Sequence, residues 1–233
     1  MLIILWYILI ALIPGFFWVW FYRRKDKKNP EPLKLIIKVF IWGMLITIPA
    51  IGIELAIDYF FPYSKSSSLL IITISSLLIV APIEEILKFF VVKEKIYNHK
   101  AFDEPLDGVI YAVVAALGFA SLENILVIFS DGHNAILLRF ATATLMHAIT
   151  SGIVGYYMGM LKFGEEQQKY SPKKKKYFII QGLVIASLLH GLYNIVAGTN
   201  SSLTIFLIVS IIIIMYIMLS RGIKELKTIK INK

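Results

Sequence analysis

Eight polar side chains interrupt stretches of this chain that are otherwise apolar. Glu84, Glu85 and Lys88 lie in the run from Leu69 to Val92, Glu123 and Asn124 in the next, His147 in the one after, and His190 with Asn194 in the one after that. Carboxylates and imidazoles move protons and bind metals, while a carboxamide can donate to an oxyanion. An ionisable side chain near the centre of a bilayer costs roughly 2.5–3.5 kcal/mol on insertion scales, so such groups are kept to pair, to conduct or to catalyse. Four consecutive segments with one polar cluster each predict a single buried site.

Helical spacing decides which of these residues share a face, because positions three or four apart are neighbours. Glu84 and Lys88 have the i,i+4 relation with the acid first, the better order for an ion pair, and Glu85 stands three residues before the same lysine. One glutamate can therefore serve as a structural lock. Two adjacent carboxylates must share one lysine, and the surplus acid suits general-base work. His190 and Asn194 also stand four apart and can face one point, although a buried histidine can equally be held by hydrogen bonds alone. His147 heads a ridge with Ser151, Gly155 and Gly159, small residues that let helices approach closely. Glu123 follows Phe119 by four and can pair with a membrane histidine, and Asn124 can position a neighbouring carboxylate or a water.

The elements that must carry these residues are membrane helices. The chain of 233 residues is 58% hydrophobic, above the apolar content of soluble domains, with a mean hydropathy of +0.75. Seven apolar stretches can be drawn: Leu2–Tyr22, Leu33–Phe60, Leu69–Val92, Gly108–Ile128, Ile136–Leu161, Tyr177–Val196 and Leu203–Ser220. Each is long enough to cross as a helix, the form that satisfies its own backbone in lipid. The expected fold is thus an all-α polytopic membrane bundle of about seven transmembrane helices, one domain over 1–233 with the motif-bearing core at 69–196. No cysteine is present, which excludes a disulfide framework and thiolate chemistry. The net charge of +9 sits in short loops rather than on a nucleic-acid-binding face, so no nucleic-acid partner is expected.

Basic residues alternate from loop to loop. Arg23, Arg24, Lys25, Lys27 and Lys28 fill the first, Lys93, Lys95 and Lys100 the third, and Lys162, Lys169 and Lys173 to Lys176 the fifth. Arg221, Lys224, Lys227, Lys230 and Lys233 crowd the tail, and the intervening loops hold little beyond Lys65. The positive-inside rule then places the N-terminus outside and the C-terminus in the cytoplasm of a multi-pass protein of the cell membrane. The first apolar run precedes its basic residues and lacks an A-x-A-like site, so it reads as a membrane segment rather than a cleavable signal. Asn29-Pro30-Glu31-Pro32 is a stiff hinge. The turn Asp103-Glu104-Pro105-Leu106-Asp107-Gly108 opens the next helix.

Several known protease signatures are missing. There is no H-E-x-x-H, Ser151-Gly152 lacks the rhomboid G-x-S-G context, and no G-x-G-D occurs. The order of elements nevertheless resembles one family. Glu84-Glu85-Ile86-Leu87-Lys88, Asp107-Gly108, Phe119-Ala120-Ser121-Leu122-Glu123-Asn124, His147, and His190 with Asn194 look like the PrsW family of bacterial membrane proteases. The pattern is more distantly similar to the type II CAAX prenyl endopeptidase and bacteriocin-processing superfamily. That superfamily has E-E-x-x-x-R and a second histidine where this chain has Lys88 and Glu123. The resemblance implies an intramembrane endopeptidase that cuts a single-pass membrane protein substrate, an anti-sigma factor in envelope-stress signalling, on the outer side of the bilayer.

By that analogy Glu84 is the general base and Glu85 its neighbour, or the reverse. Glu123 and His147 hold a water or a metal, and His190 with Asn194 polarises the carbonyl and stabilises the oxyanion. Two histidines and a carboxylate from three helices can also form a zinc site with an open position for water. Glu123, His147 and His190 are the expected ligands, with Glu84 or Glu85 as base. A metal-free, glutamate-activated water is the other mechanism. At about 1.5 Å per residue, Glu84 is expected nearer the bilayer centre than Glu123, His147 and His190, so the third helix must tilt, shift or bend at Pro82 to join them. Otherwise Glu84 and Glu85 belong only to the lock.

Two readings from other classes compete: a proton-coupled carrier, and a non-catalytic membrane scaffold glued by its polar cluster. The orientation has its own test. Single cysteines replacing Lys65, Asn134 and Asn200 are expected to react with a membrane-impermeant maleimide on intact cells. A cysteine replacing Lys174 is expected to react only after permeabilisation, and its labelling on intact cells would reverse the topology.

Overall fold

Helix α5 (Asp107–Asp131) runs through the middle of the bundle, and its sequence shows why it can. From Val109 to Ser121 it is almost wholly alanine, valine, glycine and other uncharged residues, so neighbours can pack on every side. Its apolar stretch is 67% buried, against 22–33% in the five other helices long and apolar enough to cross a membrane. The structure, a computed structural model, describes residues 2–24, 29–131, 142–199 and 201–229. Lys25, Lys27, Lys28, Lys230, Lys233, Asn134, Asn200 and the start of the expected fifth stretch, 136–141, lie outside them.

In chain order the described helices are α1 (Leu2–Arg23), α2 (Leu33–Phe60), α3 (Leu69–Ser75), a π turn (Ser76–Val80), α4 (Ala81–Lys95), α5, α6 (Ala143–Phe163), α7 (Glu165–Gln168), α8 (Pro172–Ala197) and α9 (Thr204–Leu226). No strand occurs among the described residues. The chain is an all-α, multi-pass membrane bundle. Among the described residues six spans meet the demands of length and hydropathy: α1, α2, the continuous α3–π–α4 rod, α5, α8 and α9. The seventh long helix, α6, is absent from that set because it carries His147, Thr150, Ser151 and several glycines. It has no need of a lipid-facing surface, since it is buried along most of its length against α5, α8 and α9. Large apolar side chains of α1, α2 and α9, among them Leu5, Ile48, Ile205 and Phe206, point outward as membrane-spanning helices require.

Small residues set the spacing around the centre. The backbones of α5 and α6 touch at Gly108 and Gly155, where a methyl group added to either would collide with the carbonyl of the other. Asp107, fully buried, accepts the backbone N–H groups of Asp103 (2.8 Å) and Glu104 (2.7 Å) and fixes the turn that leads into this contact. The Asp107-Gly108 pair thus has an architectural role, closing a turn and admitting a neighbouring helix.

The rod from α3 to α4 contains the one irregular turn that matters for the site. Pro82 has no N–H to give the carbonyl one turn behind it, and a wider turn accommodates the break. The Ala81 N–H reaches the Ser76 carbonyl, five residues back. Gly191 of α8 packs on this turn; a Cβ there would lie 2.9 Å from the Ser76 oxygen and 3.1 Å from the Leu77 Cα. The close crossing brings His190 against α4.

Because Gly155 faces backbone rather than a flexible side chain, Gly155→Ala is expected to lower stability by about 1–3 kcal/mol. Gly52→Ala, at a lipid-exposed position with nothing within 4 Å of the added carbon, is expected to be neutral or mildly stabilising. Thermal unfolding of both variants in detergent checks the contrast.

Candidate active site

The centre of the polar cluster is an ammonium group. Lys88 is 1% exposed, and its Nζ lies 3.0 Å from Glu84 Oε2, 3.1 Å from Glu85 Oε1 and 2.8 Å from His147 Nδ1. The Phe119 ring closes the remaining side at 4.2 Å. Both glutamates come from the same helical face as the lysine, as the i,i+3 and i,i+4 spacing requires.

The two adjacent acids have different surroundings. Glu85 Oε1 accepts from Lys88, from Thr150 Oγ1 at 3.1 Å and from His190 Nδ1 at 3.0 Å, and its Oε2 accepts from Ser151 Oγ at 2.8 Å. Four donors from α4, α6 and α8 use most of what a carboxylate can accept. Its side chain is fully enclosed. Glu84 instead faces a cavity of about 450 Å³, together with Glu54, Glu123, His147, His190 and Asn194. Glu85 is not among the residues lining that space.

Glu84 Oε2 lies 3.7 Å from His147 Nδ1 and 3.8 Å from His190 Nε2. The depth gap expected from counting residues along α4 is closed. The two imidazoles meet edge to face, with centroids 4.9 Å apart. Glu84, His147 and His190 form a buried group in which one ligand atom from each lies within 4.8 Å of the others. Of the three expected ligands, the structure brings both histidines into this group. The expected carboxylate, Glu123, sits on the far side of His147, with Oε2 2.7 Å from Nε2. His147 is thus flanked by Glu84 and Glu123, and Glu123 is the more accessible of these two acids, its side chain 25% exposed against 6% for Glu84.

The donor set fits a divalent ion. One carboxylate and two imidazoles are ordinary zinc ligands. The Glu85 carboxylate on His190 Nδ1 leaves Nε2 directed at Glu84, the outer arrangement that orients ligating histidines. The His147 Nδ1 atom that faces Glu84 lies 2.8 Å from Lys88 Nζ, so a metal held there would exchange that contact for its own.

Asn194 lines the cavity one turn beyond His190, whereas Asn124 points elsewhere, donating to Thr144 Oγ1 at 3.1 Å. Spacing arguments missed four residues. Thr150 and Ser151 bind Glu85, and Tyr193 lines the cavity while donating to Thr142 Oγ1 at 2.9 Å. The fourth is Glu54 of α2, whose Oε1 is buried at the cavity wall without a hydrogen-bond partner among the described residues. Its signal was in the sequence, a carboxylate inside the apolar run Leu33–Phe60, six residues before its end.

Residues 31–220 match the model of the PrsW family intramembrane metalloproteases. The chain is 36% identical over 197 residues to the Protease PrsW of Oceanobacillus iheyensis, covering 84% of this chain and 85% of that protein. It is 30% identical over 184 residues to the Protease PrsW of Geobacillus kaustophilus, covering 79% and 76%. The corresponding figure for the Protease PrsW of Bacillus subtilis is 28% over 199 residues, covering 82% and 83%. No solved structure gives a significant match. These relatives are named as proteases, and their match extends well beyond the polar cluster. With a family model spanning most of its length, the chain belongs to the PrsW family of intramembrane metalloproteases.

Proposed function

We propose that Glu84, His147 and His190 hold one divalent metal ion, zinc by its ligand preferences, at the wall of the cavity where a membrane-embedded peptide is cut. The observation that carries this reading is the meeting of a carboxylate and two imidazoles, from α4, α6 and α8, at a space large enough for a peptide segment. Bound there, such an ion supplies Lewis-acid polarisation and brings the pKa of a water to about 7.

The chain's own residues divide the remaining work. Glu123, the more accessible carboxylate, takes the proton of the attacking water as its oxygen bonds to the scissile carbonyl carbon. It returns that proton to the amide nitrogen as the C–N bond breaks. Asn194 donates to the oxyanion. Glu85 is a positioning residue: it orients His190, neutralises Lys88 and ties α4 to α6. Glu54 accepts an N–H from the substrate. A helix must unwind before its peptide bond can be hydrolysed, and the freed donors need acceptors where no bulk water is present.

The cavity is lined by the beginnings of α6 and α9 and the end of α8, at the bundle end opposite the lysine-rich start of α8. With the N-terminus outside, it opens in the outer half of the membrane. The substrate proposed is a single-pass membrane protein, of the anti-sigma-factor class that the family resemblance implies.

Variants separate these roles when cleavage of a tagged single-pass substrate, thermal unfolding and metal content are measured together. Glu123→Gln is expected to lose about 10²–10⁴ in kcat while retaining metal and stability. Asn194→Ala is expected to lose about 10²–10³. Glu85→Gln is expected to lower stability by about 3–5 kcal/mol, since it breaks a buried pair. Glu54→Leu is expected to raise KM more than it lowers kcat, with Glu54→Gln restoring part of the loss through its carbonyl oxygen. Unimpaired cleavage by both His147→Ala and His190→Ala would overturn the site.

A further inference from the structure

A groove of about 550 Å³ lies at the opposite end of the bundle from the proposed active site, and none of the site residues lines it. Its floor is apolar, with Phe89 from α4 and Ile179 and Leu183 from α8 among its residues. Its rim carries Lys93, Lys175 and Lys176, against the single acid Glu94. Among the described residues none of these three lysines has an ion-pair partner, and Lys93 stays near the Phe89 and Phe90 rings, at 5.9 and 5.6 Å.

The start of α8 gives a second, independent sign. The helix opens Pro172-Lys173-Lys174-Lys175-Lys176 with no acid in its first turn. A helix N-terminus is the positive end of the peptide dipole, where acids are favoured and lysines are disfavoured. Four consecutive lysines there run against that preference, and their mutual repulsion adds to it. An anion at the rim relieves both.

We propose that this groove binds an anionic glycerophospholipid, with the phosphate among Lys93, Lys175 and Lys176 and an acyl chain along Phe89, Ile179 and Leu183. A basic rim over an apolar trough between two membrane helices matches an amphiphile with a charged head. Free phosphate accounts for the lysines but not for the trough, so the lipid is the occupant the surface fits. The proposal is independent of the catalytic reading, because it uses no residue of the proposed active site.

Native mass spectrometry of the full chain in detergent, titrated separately with phosphatidylglycerol and phosphatidylcholine, tests it. Retention of phosphatidylglycerol over phosphatidylcholine is expected. Combined Lys93→Gln, Lys175→Gln and Lys176→Gln is expected to weaken phosphatidylglycerol binding by roughly a hundredfold. Leu183→Trp, which fills the trough and leaves the lysines in place, is expected to weaken it as well and keeps the proposal falsifiable if the triple variant does not fold. Combined Arg221→Gln, Lys224→Gln and Lys227→Gln, at the end of α9, is expected to leave it unchanged. Equal retention of the two lipids, or an equal loss in the α9 control, would overturn the proposal. So would full competition by millimolar inorganic phosphate together with unchanged binding in Leu183→Trp.

Discussion

An ammonium ion buried in a membrane protein must be neutralised where it stands, and Lys88 imposes that requirement on everything around it. Its three partners, Glu84, Glu85 and His147, compensate the charge only while α4 and α6 keep their register. Glu85 extends the constraint to α8 through His190, and to α6 again through Thr150 and Ser151. Removing one member of such a set strands a charge at a cost of about 3–5 kcal/mol. A structural lock and the proposed reactive site are therefore parts of one assembly here. Glu85 is saturated by donors and holds the helices, and the same contacts leave Glu84 and the two imidazoles converging beside the cavity.

The helix framework makes that convergence achievable. Gly155 against Gly108 and Gly191 against the π turn let backbones approach until short side chains can meet. Pro82 forces the wide turn before α4, and the kinship of proline with irregular turns in membrane helices follows from its missing N–H. The proposed active-site cavity and the lysine-rimmed groove lie at opposite ends of α8, which carries His190 near one end and Lys173 to Lys176 at the other. One helix thus combines the proposed chemistry with the proposed anchoring to an anionic headgroup.

Much of this was legible in the sequence because membranes penalise polarity so heavily. Glu84, Glu85, Lys88, Glu123, His147, His190 and Asn194 stood out against apolar runs, and their helical spacing gave the Glu84–Lys88 and Glu85–Lys88 pairs directly. Spacing along one helix cannot say which faces of different helices meet. For that reason the different surroundings of Glu84 and Glu85 and the service of Thr150 and Ser151 to Glu85 emerged only from the structure. So did the position of Glu123 on the outer side of His147. Counting residues misplaced Glu84 in depth because tilt and a π turn are set by packing rather than by length. Glu54 was passed over because its one polar neighbour at helical spacing, Asp58, lies at the end of the apolar run, where it accepts from Ser64 rather than pointing to a buried site.

The account turns on Glu84, His147 and His190 sharing one metal ion. X-ray absorption at the metal edge of the purified full-length protein measures this most directly. About one divalent ion per chain with two imidazole nitrogens in its shell is expected, falling to one imidazole or to no metal in His190→Ala and in His147→Ala. A chain that carries no metal and still cleaves its substrate at full rate after exhaustive chelation would contradict it.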